Sequence, residues 1–278
     1  LTWIDYIDIN VYCQVAGKGK QSAPYGLDHQ KNPASEEKSM QRKILKTRAF
    51  RGIALIVVLG SGWQAKAQDA KTPYPSMAPL DQYLIADRNA EIAMARTAAP
   101  ESISGDAEVM VLGRHGYETA AKGKNGFVCM VWRSWAAGID DPEFWNPKQR
   151  APICFNPPAA RFNVPLTIKR TELVLAGRTK TQMFADISSA LDKKELPALE
   201  SGAMCYMLSK QGHLSDRDGH WRPHLMFFVP HAEPASWGAG SQGSPVVAAF
   251  TDTSERLTVF LIPVAKWSDG TAAPMDEH

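Results

Sequence analysis

The chain has 278 residues, 44% hydrophobic, 22% charged and 9% aromatic, a balance that belongs to ordinary globular proteins and excludes collagen-like, low-complexity and disordered polymers. Its formal charge of +2 hides an asymmetry: residues 1–67 hold ten Lys or Arg and five Asp or Glu, leaving 21 basic and 24 acidic residues downstream. A mildly acidic body gives no electrostatic reason to expect nucleic acid or an anionic membrane as partner.

In chain order, the first methionine is Met40, and an export signal is expected directly after it. Arg42, Lys43, Lys46, Arg48 and Arg51 form a positive region, followed by the apolar run Ile53–Leu59. That run falls well short of the roughly 18–20 residues needed to span a bilayer. Ala65-Lys66-Ala67 supplies the small residues a signal peptidase accepts, so cleavage is expected after Ala67, with no membrane span in the mature protein. The expected destination is the periplasm or the extracellular space. Residues 1–39 change character abruptly from Trp3-Ile4-Asp5-Tyr6-Ile7 to a Gly/Lys/Gln/Ser/Pro stretch, and read as a disordered upstream extension with Met40 as the start. Residues 68–77 form a flexible leader, 78–270 a single domain and 271–278 a flexible tail.

Within that domain, a helix is expected from Pro79 to before Pro100 on the stripe Leu80, Tyr83, Leu84, Ile92, Met94 and Ala95. Ala107–Leu112 and Phe127–Trp132 read as the strands of a hairpin with a long, decorated loop. Six prolines between residues 138 and 165 point to an irregular covering segment. Two helices are then expected, Leu166–Ala176 and Thr179–Lys194, joined at Gly177, the second burying Met183, Phe184, Ile187 and Leu191. Ala203–Leu208, Leu225–Val229, Val246–Thr251 and Leu257–Val264 complete the strands. With no long helix between them, neighbours should be antiparallel. The expected fold is α+β, a single antiparallel sheet of about six strands with helices packed on one face.

The body carries Cys129, Cys154 and Cys205. Export permits a disulfide, and Cys129 with Cys154 is the expected pair, tying the proline-rich segment to a strand. Cys205, in Ala-Met-Cys-Tyr-Met, reads as a small buried thiol.

The densest polar constellation runs from Gly212 to His224. His213, Asp216, Asp218, His220 and His224 are candidate ligands for a divalent transition metal, since neutral imidazole and carboxylate each offer a lone pair. The spacing matches no established zinc rule: Pro223 separates His220 from His224 and no Glu follows His220. Asp216-Arg-Asp218-Gly219 resembles the opening of a calcium loop but lacks its closing Glu. The competing reading is a hairpin loop whose Asp residues make turns. A second cluster, Arg114-His115-Gly116-Tyr117-Glu118, ends the first hairpin strand. In a catalytic reading His115 or His224 is the base, and Arg114 or Arg222 holds an anion.

Gly238-Ala-Gly240-Ser-Gln-Gly243 satisfies a dinucleotide-binding pattern. It follows no strand and precedes no helix, so it has no helix N-terminus for a pyrophosphate. These features lead to an exported binding or envelope-associated domain for a small-molecule or envelope ligand, with a metal-assisted hydrolase on the His213–His224 loop as the alternative.

Overall fold

The computed structural model describes residues 73–216 and 219–273. The expected upstream extension, signal peptide and cleavage point lie outside the described residues, as does most of the expected tail. Among the described residues no helix is long and apolar enough to cross a membrane.

Pro79 initiates a single 3-10 turn, Leu80–Gln82, rather than a long helix. The helix proper, α1 (Arg88–Arg96), starts at Asp87, whose carboxylate accepts from the Asn89 N–H at 2.9 Å. An Asp in that position satisfies an orphan amide and so marks a start within the apolar stripe. A one-turn helix, α2 (Glu101–Ser104), follows Pro100.

Among the described residues, eight strands form one mixed sheet: β1 (Glu108–Gly113), β2 (Gly116–Ala121), β3 (Val128–Trp132), β4 (Ala151–Phe155), β5 (Met204–Met207), β6 (His224–Pro230), β7 (Ala248–Asp252) and β8 (Leu257–Pro263). Their order is β2-β1-β3-β4-β5-β6-β8-β7. The α+β class holds, but the sheet has eight strands rather than about six and is not purely antiparallel. The expected Ala107–Leu112/Phe127–Trp132 hairpin is replaced by a parallel pair, because the loop between them contains β2, which pairs antiparallel with β1 on its outer side. The chain then returns across the start of β1. Gly123 makes this crossing possible: a Cβ there would lie 2.1 Å from the Glu108 amide nitrogen.

The proline-rich segment holds the other missed strand. Pro152 sits in β4 opposite Val131 of β3, while β5 pairs only with Cys154 and Phe155. The missing N–H of Pro152 therefore lies beyond the β5 ladder, where a proline is tolerated. Directly after β4, Asn156 caps α3 (Pro157–Leu175) by accepting from the Ala159 N–H at 3.0 Å. Pro157 and Pro158 occupy the first turn, where no intrahelical N–H is needed. Helix α4 (Lys180–Asp192) opens with a reciprocal Thr179/Gln182 capping box. It buries Met183 and Ile187 as expected, but Phe184 is 42% exposed.

The helices do not share one face. Met110, Leu112, Met130, Ile153 and Phe155 point toward α3 and α4 in the main core. The alternate residues Val109, Cys129, Val131 and Cys154 pack on Ala95, Ala98 and Ala99 at the end of α1, the two-residue alternation of side chains dividing the faces. Cys129 and Cys154 are register partners on β3 and β4 and form the expected disulfide, with Cα atoms 4.0 Å apart. It links two central strands rather than a strand and a loop. Cys205 is a free, fully buried thiol whose pKa is pushed far up by burial.

Candidate functional site

Strand directions gather the polar residues singled out in the sequence. β1, β3, β5 and β8 run one way, and β2, β4, β6 and β7 the other. The turn Arg114-His115, the segment after β5 that carries His213 and Asp216, and the entry Arg222-Pro223 to His224 therefore all lie along one rim of the sheet. Gathering is not convergence, however. β1 and β6 are four strand spacings apart, about 19 Å, so the Arg114/His115 turn and His224 belong to separate sites.

At the His213 end, Arg150 and His213 form an isolated antiparallel bridge, and His213 Nε2 lies 3.4 Å from Asp216 Oδ1. Asp216 is occupied mainly by others: the Tyr74 hydroxyl donates to Oδ2, and Lys148 Nζ donates at 2.9 Å. The Tyr74 hydrogen bond, then that of Lys148, holds the Asp216 carboxyl down at about 2. Imidazole Nε2 of His220 lies 2.9 Å from the Lys210 carbonyl, and its ring meets Trp267 edge-on at 5.0 Å. His224 is buried, with Nδ1 2.7 Å from the Arg222 carbonyl; burial lowers its pKa. That contact requires the proton on Nδ1 and leaves the lone pair on Nε2. Asp218 lies outside the described residues. Among the described residues no three of His, Cys, Asp and Glu come together closely enough to hold a metal ion.

Behind the rim lies a charged cluster the sequence did not single out. Arg133 is fully buried; it donates from Nε to the Tyr83 carbonyl at 2.6 Å and from Nη2 to Glu91 Oε1 at 2.9 Å. The same Glu91 oxygen accepts from the Leu112 N–H at 3.0 Å. Among the described residues Arg150 donates to the carbonyls of Pro147, Gln149 and Gln82. Burial, followed by repulsion from Arg133, lowers its pKa to about 10. Tyr117 donates to the Val131 carbonyl at 2.7 Å, and burial pushes its phenol up to about 12. Every buried group here has a partner, which is the mark of a structural network rather than a reactive one.

The Arg114/His115 turn borders an open cavity of about 690 Å³, walled by Met77, Leu80, Val174 and Leu175 with Glu172 at its margin. Its size falls within the roughly 300–1,000 Å³ of small-molecule sites. Arg114 is turned to Asp81, 2.7 Å away, in an exposed ion pair. Among the described residues His115 and Glu172 make no ion pair. Sequence reading found Arg114 and His115 but not Glu172 or Leu175, which arrive from the end of α3 about sixty positions later. The only sequence signal for them is the helix stop at Gly177. Protein-family models, curated proteins and solved structures offer no match to this chain.

Proposed function

We propose that the protein is an exported binding domain that takes a small amphipathic molecule in the cavity between the β1–β2 turn and the end of α3. The observation that carries this reading is the cavity itself, an apolar wall of Met77, Leu80, Val174 and Leu175 facing a polar margin. Arg114 is paired with Asp81, and among the described residues Glu172 has no ion-pair partner, so it supplies the remaining charge. The partial negative charge at the C-terminus of α3 has the same sign. Both favour a ligand with an apolar body and a protonated amine head. The Cys129–Cys154 bridge supports an oxidising compartment, in keeping with an export signal ending at Ala67.

Isothermal titration with octylamine and octanoate tests this reading. Octylamine should bind the tighter of the two, and Glu172→Gln should remove the preference without altering the melting temperature. Equal or absent binding of both probes overturns it. The second reading, a metal-assisted hydrolase, rests on the His213–Asp216 contact and the open Nε2 of His224. Elemental analysis of protein purified without a His tag separates the two, since stoichiometric zinc would favour the hydrolase.

A further inference from the structure

Residues 73–78 reach the cavity as a strap, with Met77 and Ala78 forming part of its wall. The side chains of Tyr74, Met77 and Ala78 pack on the main core. Among the described residues no backbone hydrogen bond joins this strap to the rest of the fold, so its polar attachment falls to one clip at each end. At Ala78 the N–H donates to the Tyr83 hydroxyl at 3.2 Å, and that hydroxyl donates in turn to the Trp145 carbonyl at 2.8 Å. At the other end the Tyr74 hydroxyl donates to Asp216, whose two oxygens also accept from Lys148 Nζ at 2.9 and 3.1 Å. The clips differ in burial. Tyr83 is fully buried, whereas the side chains of Asp216 and Lys148 are 38% and 62% exposed. Water competes for an exposed contact, and segments held by few buried contacts open at the lowest free energy. The Tyr74 end is therefore the releasable one.

We propose that Tyr74 and Asp216 form a latch that holds the strap in place as one wall of the cavity, so that ligand residence is set by a contact outside the cavity. The effect on residence rests on the reading of the cavity as an amine-binding site; the latch itself does not. Tyr74 stands three residues from Met77, at most about 10–11 Å along an extended chain. Release at Tyr74 therefore frees Met77 without disturbing the buried Tyr83 anchor. With the latch closed, the apolar wall is in position before a ligand arrives, and binding carries no cost of ordering it. With the latch open, only the fraction of molecules whose strap is seated presents a complete wall, and the apparent dissociation constant rises accordingly. Asp216, a candidate metal ligand by its sequence context, acts here as the fixed end of a tether.

Two measurements on the purified full chain test the inference. In NMR spectra of protein with isotope-labelled methionine methyl groups, the Met77 signal, identified by its loss in Met77→Leu, should move toward the position of a solvent-exposed methionine in Tyr74→Phe. Met110 and Met130, both in the core, should keep theirs. Octylamine should bind about fivefold more weakly to Tyr74→Phe and to Asp216→Ala, through faster dissociation, the size expected for losing one charge-assisted but exposed hydrogen bond. The double variant should also lie about fivefold below the native protein rather than about twenty-five-fold, because both substitutions remove the same contact. An unmoved Met77 signal overturns the inference, as do fully additive losses or an octylamine affinity unchanged in both variants, whatever happens to the urea midpoint. If the native protein binds no octylamine, the cavity reading fails and the Met77 signal alone decides the latch. If Asp216→Ala fails to fold, Tyr74→Phe decides.

Discussion

Replacing Glu91 by Gln removes one charge from the interior while keeping the oxygen that accepts from Arg133 and from the Leu112 amide. Both side chains of the pair are essentially unexposed, at 1% and 0%. The amide is nearly the same shape, so the hydrogen-bond geometry survives and the loss is almost purely electrostatic. Arg133 would then be a buried cation with no counter-charge, beside the partly buried Arg150. Breaking a buried ion pair on one side costs about 3–5 kcal/mol, a large share of the roughly 5–15 kcal/mol that holds a domain folded. Urea denaturation followed by circular dichroism should show the unfolding free energy falling by that amount, as a lower midpoint at unchanged slope. The structure also fixes the direction of coupling. Arg150→Gln should cost less in the Glu91→Gln background than in the native protein, because it then removes repulsion between two uncompensated cations. A loss below about 1 kcal/mol for Glu91→Gln, or no coupling to Arg150, would refute this account of the cluster.

Three further outcomes are expected. Reducing the Cys129–Cys154 bridge, which closes a loop of sequence separation 25, should cost about 3.5 kcal/mol from loop-closure entropy; urea midpoints with and without reductant measure it, and a shift under about 1 kcal/mol contradicts it. Burial raises Glu255 to about 7, beside Arg170 and Asp252. The folded state therefore holds a proton that the unfolded chain has already released above its ordinary pKa of 4.5. Stability should fall as pH rises between these two values, by up to about 3 kcal/mol, and Glu255→Gln should flatten that slope; identical slopes for the two proteins would count against it. Gly123→Ala forces a Cβ into the backbone of β1 and should cost about 1–3 kcal/mol or more in the same denaturation assay, with native-like stability as the contrary result.

Strands were legible wherever an apolar run was buried on at least one face, as in Phe127–Trp132, Leu225–Val229 and Leu257–Val264. β2 was not, because Gly-Tyr-Glu-Thr-Ala-Ala is a half-buried edge strand and carries no alternating pattern. β4 was hidden by Pro152, whose tolerance depends on β5 pairing with only the last two residues of the strand, a tertiary fact with no local trace. The same holds for α3: Pro157 and Pro158 read as breakers until Asn156 places them in the first turn. The disulfide was legible because pairing Cys129 with Cys154 ties the proline-rich segment to a strand and leaves Cys205 as a thiol among apolar neighbours.

The candidate site was legible in part for a related reason. Arg114 and His115 stood out as a polar cluster at a strand end, but the wall that makes a cavity of their surroundings comes from the leader and from α3. The His213–His224 loop stood out more strongly, yet the fold gives most of its members separate partners: Asp216 goes to Tyr74 and Lys148, His220 to Lys210, and His224 to the Arg222 carbonyl. Density of polar residues along a chain says little about which of them meet in space.

The account stands most directly on where a ligand binds. In an amide NMR titration with octylamine, the largest shifts should fall on Leu80, Arg114, His115, Glu172 and Gly177, leaving His220, His224 and Trp237 unmoved. Shifts centred on the His213–His224 loop or the Trp237 face, with the α3 end silent, would contradict it.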